Sequence, residues 1–316
     1  MDVLTFGEAM IALRADRALS LNPNITATIA GAESNVAIAL ARLGHDVQWA
    51  GRIGDDAGGE LIRRTLRAES VGQDHVTTDP RRQTGIIIFE QRLPDVARVG
   101  YFRLNSAGSG LSTSDLSAAL SESPRIVHIT GITCALSQSA ADAALQAAAT
   151  AKAAGATVTF DVNYRAKLWS RDLARETLAG LLPFVDVVIG SADELGLLSE
   201  ENAGSGDPST VAAGLIERGV REVVVKLGAD GARFHDAGGS LYSPARRVSA
   251  VDSVGAGDAF TAGYISGLLT SRTVEERLRL ANTLGAFAVA SKGDWEGLPT
   301  SSELALLDAE NGIALR

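Results

Sequence analysis

Cysteine is almost missing from this sequence: Cys134 is the only one in 316 residues. A lone thiol excludes an intramolecular disulfide framework and a cysteine-built zinc cluster, and its neighbours Thr133 and Ala135 read as a small buried position. Aromatic residues are also scarce, at 5%, and basic ones are outnumbered: 29 Lys and Arg against 38 Asp and Glu leave a formal net charge of −9. That balance argues against a nucleic-acid partner, whose phosphates select basic surfaces, although a small anion needs only a few local cations. No apolar run approaches the roughly 20 residues that span a bilayer. No basic-then-apolar leader opens the chain either. The expectation is a soluble, cytoplasmic protein with no membrane partner.

Hydrophobic residues are plentiful, at 46%, as are the 33 glycines. A chain of this size and composition buries a large core, and one α/β domain over 1–316 suffices to hold it. Short apolar runs predict buried strands at 3–6, 47–50, 126–129, 157–161, 185–190 and 222–227. Helical spacing predicts helices at about 33–43, 58–68, 140–154, 172–182, 208–218, 256–270 and 274–290. The alternation implies a mostly parallel sheet covered by helices on both faces, a three-layer α/β sandwich. One region breaks the pattern. Gln83–Gln91 and Arg98–Arg103 read as paired strands with no helix between, so about 10–31 and 83–105 are expected to form a small separate β-sheet.

The chemistry concentrates in Asp252-Ser-Val-Gly255-Ala256-Gly257-Asp258, which runs into a helical pattern. The first turn of a helix leaves backbone N–H groups unpaired at the positive end of the helix dipole, and side chains this small let a phosphate approach them. A resting phosphate would be repelled by Asp258. That carboxylate makes sense as a general base taking the proton of a hydroxyl that attacks phosphorus. A glycine turn with an ordinary first-turn acid is the plain alternative. The Lys of a Walker loop is missing, and no Gly-x-Gly-x-x-Gly follows the first strand.

Asp252-x-x-Gly255-Ala256-Gly257-Asp258 resembles the C-terminal signature of the ribokinase-like (PfkB) sugar kinases. Gly31-Ala32-Glu33-Ser34-Asn35, leading into a helix, resembles their N-terminal signature, and the likeness runs in order along the chain. It implies ATP-dependent phosphoryl transfer with Mg2+. Gly255, Ala256 and Gly257 would form the anion hole, and Asp258 would be the base. Gly31, Ala32 and Asn35 would lie on the sugar, and the small sheet would be a lid that also joins copies of the chain.

Val223-Val-Val-Lys226-Leu-Gly228-Ala-Asp-Gly231 is similar to the turn bordering ATP in these kinases. Asn282, on a helix of small residues, is the expected polar contact to adenine. The family's Asn-x-x-Glu reads Ser191-x-x-Glu194 here, with Glu194 expected to order the metal through water; first-turn helix acids remain the alternative. Tyr101-Phe-Arg103 and Asn163-Tyr-Arg165 resemble segments of 2-keto-3-deoxygluconate kinases. In that subfamily the arginines hold the sugar-acid carboxylate, as two parallel hydrogen bonds allow, and an acidic residue matching Asp294 contacts substrate. Asn163 is further expected beside the nucleotide. The reading is thus a kinase for the terminal hydroxyl of a small sugar acid. A neutral-sugar kinase of fructokinase or ribokinase type, or a non-catalytic sugar- or nucleotide-binding protein, stays open.

Overall fold

The computed structural model describes residues 1–93, 96–199 and 207–308. Among these residues thirteen strands are formed: β1 Val3–Gly7, β2 Met10–Ala15, β3 Ile25–Ala30, β4 Val47–Gly54, β5 Val76–Asp79, β6 Ile86–Leu93, β7 Val96–Phe102, β8 Ile126–Thr130, β9 Thr157–Asp161, β10 Val187–Ser191, β11 Glu222–Lys226, β12 Ala232–Asp236 and β13 Gly239–Ser243. The helices are α1 Ala32–Arg42, α2 Ala57–Ala68, α3 Thr113–Ser121, α4 Gly131–Leu136, α5 Gln138–Ala153, α6 Arg171–Ala179, α7 Ala192–Leu195, α8 Pro208–Glu217, α9 Ala256–Leu269 and α10 Val274–Val289.

Nine strands make the main sheet in the order β13-β12-β11-β10-β9-β8-β1-β4-β5. All pairs are parallel except β11–β12 and β12–β13. The central strands are runs of Val, Ile and Phe because both of their faces are covered. Successive residues pack into opposite layers. Leu4, Phe6, Val158 and Phe160 join one core with α5, whereas Val3, Trp49 and Ile126 join a second with α1 and α9. The alanines of α5 (Ala140, Ala143, Ala144, Ala147, Ala148, Ala151) are buried at helical spacing, so this helix packs closely on the sheet.

The expected small sheet is present, with order β3-β2-β6-β7. Its inner face (Met10, Ala12, Ala30, Ile87, Phe89) packs around Val254, inside the glycine-rich loop. The strand expected from 185 begins at Val187, and the helix expected to 182 ends at Ala179. Helix α3 and the β12–β13 hairpin add elements that the apolar pattern did not single out. The order of the main sheet reverses beside β1, and open α/β sheets bind ligands outside the carboxyl ends of their strands near such a reversal.

Candidate active site

Gly255 caps α9 with φ 75°, a left-handed conformation that favours glycine. A Cβ there would lie 2.1 Å from the Asp294 carbonyl oxygen, so the loop closes on a backbone that leaves no space for a side chain. Ala256, Gly257 and Asp258 form the first helical turn. A Cβ on Gly257 would meet only the Lys226 ammonium, 3.5 Å away. A lysine charge therefore sits over the helix end, where the dipole is already positive.

Asp258 is 8% exposed. Its Oδ2 accepts a 2.8 Å hydrogen bond from Asn35 Nδ2 and its Oδ1 a 3.2 Å bond from Asn163 Nδ2. Asn35 comes from the first turn of α1, which Gly31 caps. That glycine passes so close to the Glu8 carbonyl that a Cβ would lie 2.4 Å from it. Asn163 follows β9 with φ 39°, a left-handed turn that asparagine tolerates better than most residues. Both asparagines keep Oδ1 buried and without a hydrogen-bond partner. Two acceptors beside a carboxylate suit a hydroxyl-bearing ligand. Burial pushes the Asp258 carboxyl up to about 6. The Asn35 hydrogen bond, Arg165 and Lys226 pull it down, and Asp161 adds to the rise. At neutral pH the group is ionised yet a stronger base than an ordinary carboxylate.

Lys226 ends β11 and Asp161 ends β9, with β10 between them. Lys226 Nζ lies 2.9 Å from both Asp161 oxygens, and Thr261 of α9 donates to Oδ2 at 2.8 Å. Burial alone would lower the lysine's pKa. Asp161, Glu194 and Asp258 outweigh it and hold the ammonium above its ordinary value.

Glu194 closes a capping box on α7: its Oε2 accepts from Ser191 N at 2.7 Å, and Ser191 Oγ accepts from Glu194 N at 3.3 Å. Its Oε1 accepts from Tyr164 N at 3.1 Å. The helix-acid alternative is thus realised, while each oxygen retains a lone pair for a water. No group of three metal-binding side chains occurs among the described residues.

The arginines differ in their surroundings. Arg103 donates from Nε to Glu8 Oε2 at 2.7 Å, its Nη2 also meets Glu8, and Ser106 donates to the other Glu8 oxygen. Arg165 is exposed and bonds through Nη1 to the Tyr164 carbonyl at 3.3 Å. Tyr101 is 40% exposed, with the Arg103 guanidinium 5.9 Å from its ring centre. Asp294 is buried, and burial pushes it up to about 7, with Arg14 lowering it and Asp258 and Glu296 raising it.

Gly228 and Gly231 form the turn between β11 and β12; at Gly231 (φ 101°) a Cβ would lie 2.2 Å from the Ser243 carbonyl oxygen. Asn282 is buried with Nδ2 bonded to the Ser243 and Pro244 carbonyls, which leaves only Oδ1 for the expected adenine contact. Sequence reasoning missed Glu8, Arg14, Glu33 and Asp161 as members of this region. Glu33 lies within the N-terminal motif, fully buried, where it accepts hydrogen bonds from Thr130 and Thr133. An acid on the apolar face of α1 was the available signal.

Comparison with known proteins agrees with this geometry. The pfkB family of carbohydrate kinases matches residues 1–301. A 2-dehydro-3-deoxygluconokinase of Bacillus subtilis (strain 168) is 33% identical over 310 residues, covering 96% of this chain and 94% of that protein. One from Thermoproteus tenax is 37% identical over 284 residues, covering 87% and 83%. Among solved structures, a ribokinase-type protein of E. coli in complex with ATP and Mg2+ aligns with a TM-score of 0.89. It is 26% identical, covering 97% of this chain and 98% of that one. With matching motifs, sheet order and whole-length similarity, the chain belongs to the pfkB family of carbohydrate kinases.

Proposed function

We propose that this protein transfers the γ-phosphoryl group of ATP to the terminal hydroxyl of 2-keto-3-deoxygluconate or a close epimer, giving the 6-phosphate and ADP. The observation that carries the reading is the buried Asp258, held by two asparagines at the N-terminus of α9. Its relatives' names supply the substrate class.

Asp258 takes the proton of the terminal hydroxyl as its oxygen attacks the γ-phosphorus and the bond to the ADP oxygen breaks. General-base help of this kind is worth roughly 10²–10⁴ in rate. Asn35 and Asn163 aim the carboxylate, and their unpaired Oδ1 atoms receive sugar or water hydroxyls. The first-turn backbone of Gly255, Ala256 and Gly257, with Lys226 beside it, stabilises charge on the moving phosphoryl group. Asp161 and Thr261 fix that lysine in place. The glycine turn 228–231 and Asn282 border the nucleotide.

Mg2+, when bound with ATP, would offset the charge of the phosphates. Glu194 fits it only through water, because each carboxylate oxygen already takes a backbone N–H. Gly31 and Ala32 contact the sugar. Arg165 and the edge of Arg103 turned away from Glu8 meet its carboxylate, near Tyr101. The small sheet closes over the bound sugar and keeps water from competing as acceptor. Its outer side, where Phe102 and Leu104 are 62% and 92% exposed, is where copies would meet. No helix among the described residues is long and apolar enough to cross a membrane, and cytoplasmic ATP is the natural donor.

A neutral-sugar kinase is the second reading, favoured by the Glu8–Arg103 pair, which occupies one edge of an arginine assigned to the carboxylate. Initial rates on the sugar acid, fructose and ribose, in wild type and Arg165→Ala, separate the two. Loss of an acid-sugar preference in the variant supports the assignment; a wild-type preference for fructose or ribose overturns it.

A further inference from the structure

One cation beside the glycine loop has no part in the roles above. Arg14 lies on β2, directly opposite Phe89 in the β2–β6 register, on the face that Met10 and Ala12 turn toward the body. Its guanidinium stacks 4.2 Å from the Phe89 ring centre, a contact that fixes the planar group. From there Nη2 comes within 3.1 Å of Asp294 Oδ2, and Nη1 within 3.6 Å of Asp252 Oδ2. Asp252 opens the glycine loop, and the Asp294 carbonyl packs against Gly255. The small sheet thus sends a charged side chain into the wall of the phosphoryl-transfer site.

The pair is matched in charge but leaves one guanidinium donor unmet. Arg14 Nη2 and Asp294 Oδ2 are shielded from solvent and meet as an ion pair at 3.1 Å, while Arg14 Nε is equally shielded and has no hydrogen-bond partner. Arg103, by contrast, is bonded to Glu8, and Arg165 to the Tyr164 carbonyl. A buried guanidinium N–H without a bond is uncommon and costly. A hydroxyl beside the pair serves both groups, accepting from the guanidinium and donating to the carboxylate. A methylene in the same place satisfies neither.

The geometry points to Arg14 as a specificity-determining residue: with Asp294 it reads a secondary hydroxyl of the sugar beside the end that is phosphorylated. The inference rests on the sugar-kinase reading of the same site and adds a residue from the small sheet to it. Its consequence is a preference between epimers that differ at that hydroxyl.

The test begins with wild-type rates on 2-keto-3-deoxygluconate, its galacto epimer, fructose and ribose, which fix the preferred acceptor. Arg14→Met, which keeps the stem against Phe89, and Arg14→Lys are then compared on that acceptor and its epimers. Arg14→Met is expected to raise the sugar KM by about tenfold to a hundredfold, flatten the epimer preference and leave the ATP KM unchanged. Arg14→Lys recovers part of the affinity, because the charge returns without the planar fork. An unchanged sugar KM and epimer ratio in Arg14→Met overturns the proposal. So does a joint rise of sugar and ATP KM with a lowered melting temperature, which marks a strut between sheet and body. A wild type that prefers fructose or ribose sinks the acid-sugar reading, and Arg14 is then judged by the same criteria on that sugar.

Discussion

Replacing Asp258 by Asn should sharply lower turnover and stabilise the fold, two effects that both follow from losing the buried carboxylate. Burial lifts this carboxyl from an ordinary value near 3.8 to about 6. A folded-state pKa above the unfolded one means that the ionised form is disfavoured in the native protein. Each pKa unit corresponds to about 1.4 kcal/mol, so the rise of roughly two units weakens the native state by about 3 kcal/mol at pH 8. The penalty is full above pH 6, declines as pH falls through the folded value and vanishes below 3.8, where both states are protonated. Asn removes the charge but presents one acceptor to two donors, Asn35 and Asn163. Losing one of those bonds costs about 1 kcal/mol, leaving a net gain of about 2 kcal/mol at pH 8. Urea unfolding of both proteins at pH 8 and pH 5 reads this directly, with the advantage of the variant shrinking at the lower pH. The turnover number should fall by roughly 10²–10⁴. A variant no more stable than wild type at pH 8 refutes the burial argument, and near-normal turnover refutes the base assignment.

Three further outcomes follow from the same geometry. Gly255→Ala forces a Cβ to within 2.1 Å of the Asp294 carbonyl oxygen at φ 75°, so kcat should collapse while circular dichroism still reports a folded chain. Lys226→Met leaves the Asp161 carboxylate buried without its cation; unfolding in urea should show a loss of about 3 kcal/mol, and kcat should fall more than the ATP KM rises. In the pH profile, kcat/KM for the sugar should fall as pH drops through about 7 and more steeply through about 6, because Asp294 and then Asp258 lose their charge. Asp294→Asn should leave only the limb near 6.

The glycine loop, Asp258 and Asn35 were legible because their meaning is local: small residues and a carboxylate at a helix start imply an anion site wherever the helix goes. The central strands were legible because burial on both faces writes itself as apolar runs. Strands β12 and β13 were not, since Arg233, His235, Ser240 and Tyr242 interrupt any run on an edge hairpin. Helix α3 carries the Ser112–Asp115 capping box but buries only Leu116 and Ala119, too little for a clear periodicity. The ion pairs of the site were beyond reach for a different reason. Glu8–Arg103, Asp161–Lys226 and Arg14–Asp294 join residues far apart in the chain, and partner choice is settled only when distant segments come together in the fold. The sequence pointed to Arg103 as a contact to the substrate carboxylate and to Lys226 in a turn bordering ATP, and the structure supplies each with a carboxylate of the protein's own.

The central proposal is that the Asp258 site phosphorylates the terminal hydroxyl of a small sugar acid. Nuclear magnetic resonance of a reaction containing ATP, Mg2+ and 2-keto-3-deoxygluconate tests it most directly, through the phosphorus coupling pattern of the product. One phosphate ester on the terminal carbon, formed with one ADP, absent with Asp258→Asn and faster than the product from fructose or ribose, is the predicted result. ADP release without a sugar ester, an ester on another carbon, or faster turnover of fructose or ribose would contradict it.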